Sequence, residues 1–144
     1  MDQLYFEDLS EGDELPPIVK NASRAQLFLF SAATQNPHRI HYDREYAAVE
    51  GHPDVLVHGP LQGAWLAQYV TDWAGPAGRV LQVGWQNRAR AFPEQDLTWT
   101  GRVVRVYREG DRGIVELEVM EQNPDGQTLV PATAKVSLPL RGSA

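Results

Sequence analysis

All four histidines of this 144-residue chain fall between positions 38 and 58, and the chain has no cysteine. They are His38, His41, His52 and His58. Two pieces of this stretch differ in physical character. The first, Asn36-Pro37-His38-Arg39-Ile40-His41-Tyr42-Asp43, is a polar loop just after an apolar run. The second, Val57-His58-Gly59-Pro60-Leu61, opens an apolar helix. A helix start presents unpaired N–H groups and about half a positive charge. Set inside a protein, it stabilises an oxyanion, for example the enolate-like oxygen of a thioester. A histidine beside it moves a proton at neutral pH. An asparagine holds a water through its carboxamide. Together these groups suit the addition of water to an activated double bond, or its removal.

Each residue also has a plainer reading. His41 could be a satisfied structural histidine. His58 could pack and hydrogen-bond rather than act as a second base. His38 and His52 suit ordinary loop positions. Asn36 could simply cap the turn before Pro37. Arg39 could reach a phosphate or brace the loop through a salt bridge. Asp43 and Tyr46 read as a helix cap and a core anchor. His38 and His41 are three apart, which suits metal ligands on one helical turn, but Pro37 and the loop oppose that. No acid or cysteine supplies a zinc spacing, so no metal is expected.

Several elements must position these groups. Residues 4–22 form an opening segment with a short strand near Ile18-Val19. Ser23 caps a helix that runs to Ala33, with Gln26 as its capping-box partner. Asn36-Pro37 stops it, because a residue before proline avoids the α region. Asp43 caps a short helix from Arg44 to Val49. Pro60 starts the next helix, which runs to about Trp73 and closes at Gly75-Pro76. Leu61, Trp65, Tyr69 and Trp73 share one face of it. The aromatic stripe reads as core packing rather than an acyl pocket. A helix apolar nearly all round is buried.

From Val80 the apolar period becomes two, over 80–91, 97–107, 113–122 and 128–138. Pro124-Asp125-Gly126-Gln127 and Glu109-Gly110-Asp111 mark hairpin turns. The economical solution is an α+β hot-dog fold: a curved antiparallel sheet wrapped around the 60–73 helix. Strands with segregated helices are the generic alternative. The whole chain, 1–144, is one domain.

The chain carries 13 Lys+Arg against 19 Asp+Glu, a formal net charge of −6. The acid excess argues against a nucleic-acid or anionic-membrane partner. No apolar run approaches a membrane span of about 18 residues. The acidic, polar start is unlike a signal peptide, so a cytoplasmic location is expected.

The two histidine segments, in combination and at this spacing, resemble the MaoC-type (R)-specific enoyl-thioester hydratases and dehydratases, which have the hot-dog fold. Tyr5-Phe6-Glu7-Asp8-Leu9-Ser10-Glu11-Gly12-Asp13 is similar to the first segment of that family. The resemblance implies that His41 is the general base and that the Gly59 N–H serves the thioester oxygen. His58 and Arg39 are further candidates for contact with the substrate. Where the family commonly has Asp, five positions before the base, this chain has Asn36. The variant Asn-x-His-Arg-Ile-His-Tyr-Asp resembles the branch with mesaconyl-type and other hydroxyacyl-thioester dehydratases. Residues 69–76 also resemble hydratase subunits acting on steroid side-chain CoA thioesters.

An amide cannot ionise, so His41 is expected to be the sole titrating base, with Asn36 positioning the water. The implied substrate is an acyl-CoA or acyl-carrier thioester. Coenzyme A enters as part of that substrate, with no separate cofactor. Arg88, Arg90, Arg102 and Arg105 are candidates for its nucleotide phosphates. The resemblance implies a homodimer, because members of the fold generally pair two hot dogs edge to edge; pairing would also cover an exposed sheet edge. The alternatives are a partner subunit of a heteromeric hydratase complex and a hot-dog thioesterase.

Overall fold

The computed structural model describes residues 3–142. Five strands and three α-helices follow one another as β1 (Glu14–Lys20), α1 (Arg24–Ala33), α2 (Arg44–Val49), α3 (Gly59–Ala74), β2 (Arg79–Trp85), β3 (Leu97–Glu109), β4 (Arg112–Gln122) and β5 (Thr128–Pro139). The strands form one antiparallel sheet in the order β1-β3-β4-β5-β2. Helix α3 packs against β1, β2 and β5, so the sheet curves around it. This is the hot-dog arrangement expected from the element order.

Local sequence explains the element ends. The Ser23 side chain accepts from the Gln26 N–H at the start of α1, and the Asp43 side chain accepts from the Tyr46 N–H at the start of α2. Both are the caps expected, each satisfying a donor with no partner inside the helix. Helix α3 ends at Gly75, whose φ of 75° favours glycine. Pro16 and Pro17 sit in β1, and the register slips between Leu15 and Ile18. Proline lacks an N–H for the ladder, so β1 takes a sheet edge.

The core is a single cluster in which α3 supplies Leu61, Trp65, Leu66, Tyr69, Val70 and Ala74. Trp65 and Tyr69 are buried and Trp73 is half-buried, so the aromatic stripe faces the core. The Tyr69 hydroxyl donates to the Pro16 carbonyl at 2.9 Å, tying α3 to β1.

One strand is shorter than expected. The alternation at 80–91 predicts a strand to Ala91, but β2 ends at Trp85. Beyond it, the Arg88 and Ala89 N–H groups both donate to the Leu129 carbonyl. Two residues then oppose one, which breaks the ladder as a bulge does. The segment lifts away, and the Ala91 carbonyl accepts from the Val57 N–H at 2.9 Å. Residues 86–92 therefore form a loop beside the start of α3.

Leu66 is fully buried on α3. Leu66→Ala is expected to cost about 2–5 kcal/mol, since the cavity it leaves cannot fully collapse. Urea denaturation reads this as a lowered midpoint at unchanged slope.

Candidate active site

His41 ends a short 3-10 turn, Arg39–His41. The Asn36 side-chain oxygen accepts from the His38 N–H at 3.3 Å, which shapes the approach to that turn. The Leu56 N–H donates to the Ile40 carbonyl at 2.9 Å. Leu56 then accepts in return, because its carbonyl lies 2.9 Å from His41 Nδ1. A carbonyl only accepts, so Nδ1 carries the proton and Nε2 of the neutral ring keeps its lone pair.

Burial lowers the His41 pKa below 6.5, against the opposing effect of the Leu56 bond; His38 lowers it further. The ring is therefore neutral at pH 7 and able to accept a proton. It stacks on His58 with centroids 3.7 Å apart and planes 18° from parallel. His58 is 0% exposed and its Nε2 lies 2.8 Å from Ser31 Oγ. Burial, then the neighbouring His41, push the His58 pKa down to about 4. His58 is thus a neutral platform beneath His41.

The start of α3 has a reduced set of open donors. Pro60 has no N–H. The Leu61 and Gln62 N–H groups both donate to the His58 carbonyl. Among the described residues, the Gly59 N–H makes no hydrogen bond and is the open donor of the first turn. A cavity of about 790 Å³ lies here, with His41, Gly59, Gln62, Asn87, Arg88 and Arg90 among its walls. A proton acceptor and a helix-start N–H thus share one cavity.

A second set of polar groups runs from this cavity into the core. Asn87 Nδ2 donates to Gln62 Oε1 at 2.8 Å, and Gln62 Nε2 donates to Glu121 Oε2. Glu121 is 0% exposed. Burial pushes its carboxyl up to about 7, opposed by Gln62 and by Trp99. The Trp99 N–H faces the acid without closing a hydrogen bond. No chemistry-bearing motif marks these residues in the sequence. The signal lies in the strand alternation: Val115, Leu117 and Val119 are buried, and Glu121 continues that face. A carboxyl occupies the next inward position of an apolar series.

Asn36, His38, Arg39 and His58 are not among the cavity walls. Asn36 is half-buried on the loop before His41, and Arg39 is exposed. Arg39 bonds Asp43 and lies over the Tyr46 ring, 4.5 Å from its centroid. His38 pairs with Glu50 at 3.3 Å. Among the arginines, Arg88 and Arg90 border the cavity, whereas Arg102 pairs with Glu118 and Arg105 lies over Tyr107. No group of three or more His, Asp or Glu among the described residues could hold a metal ion. No described helix is long and apolar enough to cross a membrane.

Residues 13–93 match the family of hydroxyacyl-thioester dehydratase type 2. The chain belongs to that family. Its membership agrees with the resemblance to MaoC-type hydratases and dehydratases. A mesaconyl-C(4)-CoA hydratase of Chloroflexus aurantiacus is 39% identical over 85% of this chain and 42% of its own length. This family member therefore spans less than half the length of that relative. A 3-oxo-4,17-pregnadiene-20-carboxyl-CoA hydratase beta subunit of Mycobacterium tuberculosis is 29% identical, over 92% of this chain and 97% of the subunit. The crystal structure of the ChsH1-ChsH2 complex from Mycobacterium tuberculosis superposes with a TM-score of 0.78. It is 25% identical and covers 90% of this chain and 98% of that one.

Glu121 generates a pH prediction for this dehydratase-family fold. Its folded pKa lies above the unfolded value, so its contribution falls as pH rises from 4.5 through about 7. Glu121→Gln removes that loss while keeping an acceptor for Gln62. In urea, the variant is expected to gain on the wild type between pH 5 and pH 8.5, by up to about 3 kcal/mol at about 1.4 per pKa unit. A pH-independent difference would contradict the assignment.

Proposed function

We propose that the protein adds water across a 2-enoyl-CoA or enoyl-carrier thioester, and removes it from the 3-hydroxyacyl product, with (R) stereochemistry. The observation that carries this reading is the shared cavity of His41 and the Gly59 N–H. His41 Nε2 takes a proton from water as the oxygen bonds C3. The electron pair of the C2=C3 bond moves to the thioester oxygen as an enolate, which the Gly59 N–H and the α3 dipole stabilise. C2 then takes a proton from the His41 imidazolium. In the reverse direction His41 gives its proton to the leaving hydroxyl.

Asn36 is the residue assigned to the water. Its oxygen is engaged by the His38 N–H. Asn36 lies outside the cavity walls, so in this assignment its amide nitrogen turns toward His41 to donate to the water oxygen. His58 supports the His41 ring from below. A homodimer fits this reading.

A second reading is favoured by the relatives. One full-length relative is named as a hydratase beta subunit. In that reading this chain works beside a second hot-dog subunit, which completes the site. Gel filtration of the purified chain and its activity alone separate the two.

The test is hydration of crotonyl-CoA by the purified chain, followed by loss of enoyl absorbance. The product is then typed with (R)- and (S)-specific 3-hydroxyacyl-CoA dehydrogenases. His41→Ala is expected to lower kcat by about 10²–10⁴. The pH profile of kcat/KM is expected to be flat above pH 7 and to fall with one ionisation below 6.5. Release of free CoA thiol without hydration would point to a thioesterase. Two ionisations would contradict His41 as the sole base.

A further inference from the structure

The buried acid Glu121 has no role in the proton transfers above, yet it is bonded directly to Gln62, a cavity wall. On an inward strand position, an apolar side chain would avoid the cost of burying a carboxyl. What Glu121 supplies is direction. Its Oε2 accepts from Gln62 Nε2. With its Nε2 end turned to the acid, Gln62 presents its oxygen to the next group, and it accepts from Asn87 Nδ2 at 2.8 Å. Asn87 is left with its oxygen free. That oxygen lies at the start of α3: a Cβ built on Gly59 would stand 2.6 Å from it. Asn87 also lines the cavity shared by His41 and Gly59. The cavity thus presents a donor at the Gly59 N–H and an acceptor at Asn87 Oδ1, side by side.

A thioester carbonyl is an acceptor and suits the Gly59 N–H, not Asn87. The donor closest to the thioester in either carrier is the amide N–H of the pantetheine arm, two methylenes from sulfur. We propose that Asn87 contacts the substrate by accepting this amide N–H, and that Gln62 and Glu121 are positioning residues that aim its carboxamide oxygen. The inference rests on the thioester reading above. It names a residue and a chemical group which that reading does not need.

The test pairs substrates that have the amide with one that lacks it. Crotonyl-N-acetylcysteamine carries the N–H; S-ethyl crotonothioate does not. Asn87→Ala is expected to lose about tenfold in kcat/KM with the first, the size of one hydrogen bond, and nothing with the second. Glu121→Leu is expected to show the same selective loss, Glu121→Gln to retain wild-type values, and the Asn87→Ala/Glu121→Leu double variant to lose no more than Asn87→Ala alone. A merely structural role for Glu121 would affect both substrates equally, or only the melting temperature. Equal losses on both substrates, or multiplicative losses in the double variant, would overturn the inference.

Calorimetric binding of butyryl-CoA and of a butyryl-loaded acyl carrier protein provides a readout independent of turnover. The tighter of the two identifies the carrier. A wild type that binds but does not hydrate, with affinity about tenfold weaker in Asn87→Ala, would sink the hydratase reading and leave this contact standing. Wild-type turnover with undiminished Asn87→Ala affinity would do the reverse. Binding of neither ligand would overturn both.

Discussion

The bond between His41 Nδ1 and the Leu56 carbonyl is the constraint on which the site depends. It fixes both the orientation of the ring and the nitrogen that carries the proton. Leu56 can do this because it is itself held. Its N–H donates back to the Ile40 carbonyl, and the next N–H, of Val57, donates to the Ala91 carbonyl. Residues 55–57 are thereby stitched to the His41 turn on one side and to the loop after β2 on the other. The chain then turns directly into α3. The proton acceptor, the open helix-start N–H and the loop bearing Asn87 are held together by these three hydrogen bonds.

Polar burial is concentrated at the same place. His58, Gln62 and Glu121 are all essentially inaccessible, on or beside the first turn of α3. Each adds a desolvation cost that apolar residues would not. Further along α3, Trp65, Leu66, Tyr69, Val70 and Ala74 are buried, while Ala64, Gln68, Thr71 and Asp72 are exposed. Stability therefore comes from the body of the helix and the sheet around it, while its first turn carries groups whose positions serve chemistry. The same division explains the two large pKa shifts at the site. Burial keeps His58 neutral against protonation, and it holds the Glu121 proton on toward neutral pH.

Much of this fold was legible in the residues. Ser23 and Asp43 acted as the caps their types suggest, and Gly75 ended α3. The period-two segments became strands. His41 and Gly59 were also legible as a pair, because a polar loop and a proline-marked helix start are both written in side chains. Three things were not. The Leu56 carbonyl is a backbone atom, and any residue there offers the same one. The departure of 86–92 from β2 depends on a bulge at Arg88 and Ala89, which an alternating pattern conceals. Glu121 was visible only as a break in the Val115-Leu117-Val119 face, and its meaning required knowing that Gln62 lies opposite. Asn36 was singled out by its place before His41, but its side-chain oxygen shapes the loop through the His38 N–H.

The central claim is that Leu56 holds His41 as the Nδ1–H tautomer with a bare Nε2 at neutral pH. Long-range ¹H–¹⁵N NMR of the ring nitrogens at pH 7.5 tests it most directly, with His41 assigned by comparison with His41→Gln. A protonated Nδ1 shift together with an unprotonated Nε2 shift is the result expected. A proton on Nε2, with Nδ1 bare, would remove the base from the cavity and contradict the account.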